Sequence, residues 1–140
     1  MVNRSVILKK ISHIRLNMSR LRDKKDVLLE SFKNDLDLQD IVLRNLQLAI
    51  QGCIDIGSHV ISDEGWGIVG SLNEIFYLLQ TKGVIKGGLA ERMVSMVGFR
   101  NVLVHEYEDI NLDIVYNIVH SHLKDIDEYL LAVVGYFKLE

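Results

Sequence analysis

Within eight residues, Arg100-Asn101-Val102-Leu103-Val104-His105-Glu106-Tyr107, the chain collects a permanent cation, an amide, an imidazole that titrates near neutrality and a phenol. A guanidinium fork grips the oxygens of a phosphate, an imidazole moves protons at neutral pH, and a phenol can carry an ester. Together they suit work on a phosphodiester. The preceding stretch, Leu89 to Phe99, is strongly apolar and reads as a core helix, and such a helix has no need of this constellation. Each residue also has a plainer reading: Arg100 could pair with Glu106 or another acid at a helix end, His105 could cap the helix, and Tyr107 could be a half-buried aromatic.

Spacing constrains what the four can do together. At about 100° per residue, Arg100 and His105 lie roughly 140° apart around a regular helix. They converge only if the helix ends between them or if a second copy of the chain completes the site. Asn101 and His105, four apart, share a face, so Asn101 can orient the imidazole or touch the same ligand. Glu106, Glu108 and Asp109 follow at once. Because negative charge opposes the dipole at a helix C-terminus, they predict that the helix stops near His105 and leaves Tyr107 on an exposed bend. Elsewhere Asp55 and His59, four apart, read either as a supporting pair reaching the same cleft or as a local hydrogen bond. His120 and His122 are two apart and point to opposing sides. No Cys/His cluster has ligand spacing, so no metal is expected, and Cys53 sits on an apolar stripe and reads as core.

The elements that must position these groups are helical. The 140 residues are 49% apolar and contain no proline, which predicts one all-α domain over 1–140, an antiparallel bundle of about five helices. The stripe Ile7, Ile11, Ile14, Met18 and Leu21 predicts a long helix from Arg4 to Phe32, and Val42, Leu46, Ala49, Cys53, Ile56 and Val60 predict a central one from Leu36 to Ile61. Ser71-Leu72-Asn73-Glu74 is a capping box opening a short helix to Thr81, preceded by Trp66 as a packing plug. A fourth helix runs from Leu89 into the motif. The last, capped by Asp109 or Asn111, carries Leu112, Val115, Val119, His122, Ile126, Leu130, Val133 and Phe137 to the C-terminus. The net charge of −3 hides an asymmetry: residues 1–25 hold eight Lys and Arg against one acid, the remainder eight against eighteen. This reads either as a basic surface for nucleic acid or as the solvated face of an amphipathic helix. One cysteine, no signal-peptide pattern and no apolar run of about 20 residues predict a cytoplasmic protein without a membrane span.

The motif resembles the R-x4-6-H signature of the HEPN superfamily, with a polar residue directly after the Arg, and the appended x-Tyr resembles its HepT-like branch, the toxins of HepT–MntA pairs. The resemblance extends through Met96-Val97-Gly98-Phe99 before the motif, Ile114-Val115-Tyr116 after it, and Leu46 to Ile50 with Cys53 to Ile61 in the second helix. It implies a metal-independent endoribonuclease that works as a homodimer without a cofactor, in a type VII-like toxin–antitoxin system. An MntA-like nucleotidyltransferase antitoxin would neutralise it by adenylylating the motif tyrosine. On that resemblance Arg100 and His105 are the catalytic pair, Asn101 supports them, Tyr107 accepts AMP, and RNA, tRNA among the candidates, is the substrate; Asp55 joins as a supporting candidate by its own spacing to His59, not by the resemblance. Metal-free cleavage chemistry agrees, since the 2′-hydroxyl must lose a proton, a phosphorane must be neutralised and the leaving oxygen must gain a proton. Two-fold pairing would supply one imidazole as base and another as acid. The alternative from another class is a non-catalytic helical partner that binds a nucleotide or docks a nucleotidyltransferase, with Arg100 only holding phosphate.

Overall fold

In the computed structural model, which describes residues 1–140, the stripe Ile7, Ile11, Ile14, Met18 and Leu21 lies buried along one face of α1 (Arg4–Arg22). Asn3 caps this helix by accepting from the Val6 N–H. The remaining elements are α2 (Leu29–Asn34), α3 (Leu36–Glu64), α4 (Leu72–Thr81), α5 (Leu89–His105), a 3-10 turn (Tyr107–Asp109), α6 (Leu112–Ser121) and α7 (Leu123–Phe137). The fold is all-α, as expected, but it has seven helices where periodicity predicts five.

Two expected helices are each broken in two. The helix expected over Arg4 to Phe32 stops at Arg22, where Arg22-Asp23-Lys24-Lys25-Asp26 offers no apolar group to extend the stripe. Lys24 and Lys25 donate to carbonyls only three residues back, on Leu21 and Arg22, the tightening that closes a helix. The chain then restarts as α2. The last expected helix breaks at His122, whose φ of −121° and ψ of 0° leave the helical region. No glycine or proline marks the break. It is tertiary: α6 packs on α2 while α7 packs on α3 and α5, and one straight rod cannot follow both. His122, expected on the apolar stripe, is therefore exposed.

α3 is the central helix. It contributes Leu46, Ala49, Ile50, Cys53, Ile56 and Val60, all fully buried, to a single cluster of 37 buried apolar residues, so the helices share one core. Asp35 caps its start by accepting from the Leu38 N–H at 3.0 Å, and Gly65, in the left-handed conformation, ends it. α1 runs antiparallel along it, with Asn3 donating to Asp63 and Ile14 packing on Gly52. A Cβ at Gly52 would come within 2.5 Å of Ile14 Cγ1, and one at Gly57 would collide with Ile75 of α4, so both glycines permit the close approach of neighbouring helices. Tyr129 of α7 donates its buried hydroxyl to the Cys53 carbonyl at 2.9 Å. The capping box of α4 forms with a shift: Ser71 accepts from the Glu74 N–H, and Glu74 reaches back to the Gly70 N–H. Trp66 packs on Tyr136 and Phe137 with Lys82 over its ring. No helix is long and apolar enough to cross a membrane.

Candidate active site

α5 carries the motif and runs unbroken through both members of the expected pair. Met93, Met96, Val97 and Leu103 are buried in the core, which fixes the rotation of the helix and leaves Arg100 half-buried, Asn101 exposed and His105 exposed on the final residue. The helix closes with Glu106 N–H donating to the Val102 carbonyl at 2.8 Å, next to the acids that predict its end. Arg100 and His105 therefore keep the roughly 140° separation of a regular helix and do not converge within one chain.

Arg100 is poised rather than paired. Its Nη1 donates to Asn101 Oδ1 at 3.1 Å, no carboxylate forms an ion pair with it, and its Nε is buried with no acceptor. A buried donor left without a partner costs about 1–3 kcal/mol, so nothing within the chain compensates the placement of this guanidinium. Pairing with Glu106 does not occur. Asn101, His105 and Tyr107 are all exposed, so the motif lies open on the surface of a single chain. Phe99, directly before Arg100, helps to line a groove of about 290 Å³ between α5 and α6–α7, together with Met96, Ile114, Ile118, Arg92 and Asp125.

Tyr107 opens the 3-10 turn and is 50% exposed, on the bend the acids predict. Its hydroxyl is not free: it donates to Asp40 Oδ1 on α3 at 2.6 Å. That bond, then partial burial, then the charge of Asp40 all favour the neutral phenol and raise its pKa above the ordinary value. Sequence reading missed Asp40 altogether. It sits on the exposed side of the first turns of α3, 67 residues from Tyr107, and no local spacing connects them.

The structure does not bring Asp55 to the motif. Asp55 lies fifteen residues beyond Asp40 on α3, about 22 Å along the axis, where it accepts from Gln51 Nε2 at 2.9 Å and lines a groove against α1 with Lys10 and His13. The expected contact with His59 is replaced by this bond. Part of the basic start of the chain has structural work: Arg4 donates to the carbonyls of Lys138 and Glu140, and Arg22 pairs with Asp127. Lys9, Arg15, Arg20 and Lys25 stay exposed. Nowhere do three or more His, Cys, Asp or Glu side chains converge as they would to hold a metal ion.

The chain as a whole has relatives among known proteins. Residues 9–133 match the family described as ribonuclease HepT-like. The chain is 40% identical over 99 residues, 71% of its length and 74% of the relative's, to the mRNA nuclease HepT of Shewanella oneidensis. It is 29% identical over 119 residues, 85% of its length and 81% of the relative's, to the tRNA nuclease HepT of Aphanizomenon flos-aquae. Among solved structures it is similar to the tri-AMPylated HEPN toxin of Shewanella oneidensis in complex with MNT antitoxin, with a TM-score of 0.85 and 34% identity over 96% of this chain and 99% of that one.

Proposed function

This chain belongs to the ribonuclease HepT-like family, and from that premise we propose that it is an endoribonuclease, the toxin of a toxin–antitoxin pair whose antitoxin is an MntA-like nucleotidyltransferase. Relatives named as nucleases of mRNA and of tRNA, and a HEPN toxin solved with its MNT antitoxin, support this reading. The whole chain acts as one HEPN-like domain, and its place of work is the cytoplasm, where RNA is accessible.

One observation carries the mechanism: α5 continues unbroken past Arg100 to His105, so the two project to different sides of an open surface. A complete site then requires a second α5 facing the first across a two-fold axis. In such a homodimer one His105 imidazole accepts the proton of the RNA 2′-hydroxyl as its oxygen attacks phosphorus. The Arg100 guanidinia neutralise the phosphorane oxygens, and the other His105 gives a proton to the leaving 5′-oxygen. Asn101, bonded to Arg100 Nη1, positions the guanidinium. No step calls for a metal ion. Control acts at Tyr107: an AMP ester there sets a phosphate and a nucleoside two residues from His105, competing with RNA for Arg100.

The test is incubation of the purified protein with total RNA, including tRNA and mRNA, in excess EDTA, beside Arg100→Ala and His105→Ala chains and a mixture of the two. The wild type should cut, each variant alone should not, and mixed dimers, which hold one Arg100 and one His105 and so lack either the base or the acid, should stay far below wild type. A requirement for Mg²⁺, or cleavage by a strictly monomeric chain, would overturn the two-fold mechanism.

A further inference from the structure

We propose that Asp40 is the general base for adenylylation of Tyr107: it orients the hydroxyl in the resting chain and takes its proton when the oxygen attacks the α-phosphorus of a nucleoside triphosphate held by the partner. This rests on the reading that Tyr107 is the AMP acceptor. In the step, the Tyr107 Oη–Pα bond forms as the bond from Pα to the bridging oxygen of the β-phosphate breaks. Pyrophosphate leaves with that electron pair, and the phenolic proton passes to Asp40 Oδ1.

The geometry meets the requirement for such a base. A base must lie within hydrogen-bond reach of the proton it removes, and Oδ1 is 2.6 Å from Oη with the phenol donating. Both residues are exposed, so a nucleotide has access to the oxygen. Both are also held by their elements. The Asp35 cap fixes the start of α3 one turn before Asp40, and the 3-10 turn that carries Tyr107 is closed by Asp109 N–H donating to the Glu106 carbonyl at 3.0 Å. The same bond keeps the phenol protonated at rest, so Tyr107 is a poor nucleophile until a base accepts its proton, and the carboxylate already in contact is that base. The consequence for the product is electrostatic. An AMP ester cannot donate to Asp40, and its phosphate is repelled by the carboxylate, so the modified tyrosine must leave α3.

The experiment measures transfer of radiolabelled AMP from ATP to Tyr107 by the MntA-like nucleotidyltransferase partner, located by peptide mass spectrometry. The chains compared are wild type, Asp40→Asn, Asp40→Ala and Asp40→Glu, with melting temperature as the control for folding. Asparagine keeps an oxygen that accepts from the phenol but cannot take a proton at neutral pH. Loss of the base therefore predicts a rate lower by about 10²–10⁴-fold in Asp40→Asn as well as in Asp40→Ala, with partial rescue in Asp40→Glu. Asp40→Asn within threefold of wild type would show that Asp40 only positions the hydroxyl and would overturn the inference while Tyr107 stands as acceptor. A wild-type chain labelled elsewhere, or not at all, would remove both.

Discussion

Two arginines on α5, eight residues apart, have opposite surroundings. Arg92 meets Asp125 at 2.7 Å and Glu128 at 2.9 Å, and Asp125 is almost fully buried, so the first turn of α5 is pinned to α7. Arg100 meets only the amide of its neighbour Asn101 and keeps a buried Nε without an acceptor. The residue type is the same and the helix is the same. What differs is whether another helix brings carboxylates to the spot. Arg92 serves the fold because α7 carries acids opposite it, and Arg100 remains free for an anion because nothing does.

The largest effect that would sharpen this contrast is on activity. Arg100→Ala should lower RNA cleavage by about 10²–10⁴-fold with a melting temperature within a degree or two of wild type. Arg92→Ala should do the reverse, lowering the melting temperature by several degrees because a buried carboxylate loses its principal partner, while cleavage well below that temperature stays near wild type. Parallel cleavage assays and thermal melts decide it. If Arg100→Ala melts as early as Arg92→Ala, Arg100 is structural and the contrast collapses.

A smaller effect separates two tyrosines in the same way. Tyr107 has its phenol raised first by the bond to Asp40, Tyr129 by burial. Tyr129→Phe loses the bond to the Cys53 carbonyl and should cost about 1 kcal/mol at neutral pH. Since the folded pKa of Tyr129 lies above the unfolded value of about 10, its contribution is complete below that pH and is lost as pH rises beyond it. Denaturant melts across the alkaline range should show a shallower decline for Tyr129→Phe than for wild type. An equal flattening from Tyr107→Phe would mean that the exposed phenol is held as firmly as the buried one.

The smallest signal concerns the core alone. Burial pushes the Cys53 thiol well above its ordinary pKa, which leaves almost no thiolate to react. Iodoacetamide at mildly alkaline pH should leave the native protein unmodified and add one label per chain after unfolding. Labelling of the native chain at the rate of a free thiol would show that the α3 core opens far more often than its packing implies.

The place of the motif in the fold is legible because its information is local. Arg, Asn, His and Tyr stand within eight residues, the acids after His105 predict where α5 stops, and caps at Ser71 and Asn111 mark helix starts that the structure reproduces. Helical periodicity likewise placed Ile7, Ile14, Leu46, Cys53, Val60, Val115 and Leu130 in the core, and all are buried. The two extra helices have different origins, one distant and one local. Continuous periodicity across His122 concealed a bend made by the different neighbours of α6 and α7, whereas the helix expected to reach Phe32 stops at Arg22 because its stripe ends at Leu21 and a charged run follows.

By itself, then, the sequence determined the all-helical class, the central place of α3 and the position of the Arg100–Tyr107 motif at the end of α5, since propensity, capping and period depend on residues within a few positions of one another. Tertiary structure alone decided which polar groups have partners. It gave Arg92 two carboxylates and Arg100 none, and set Asp40 against Tyr107 from 67 residues away. These outcomes depend on how helices pack, and a hydrogen bond or an ion pair forms only when packing brings its two groups to within about 3 Å, a distance that spacing along the chain does not encode.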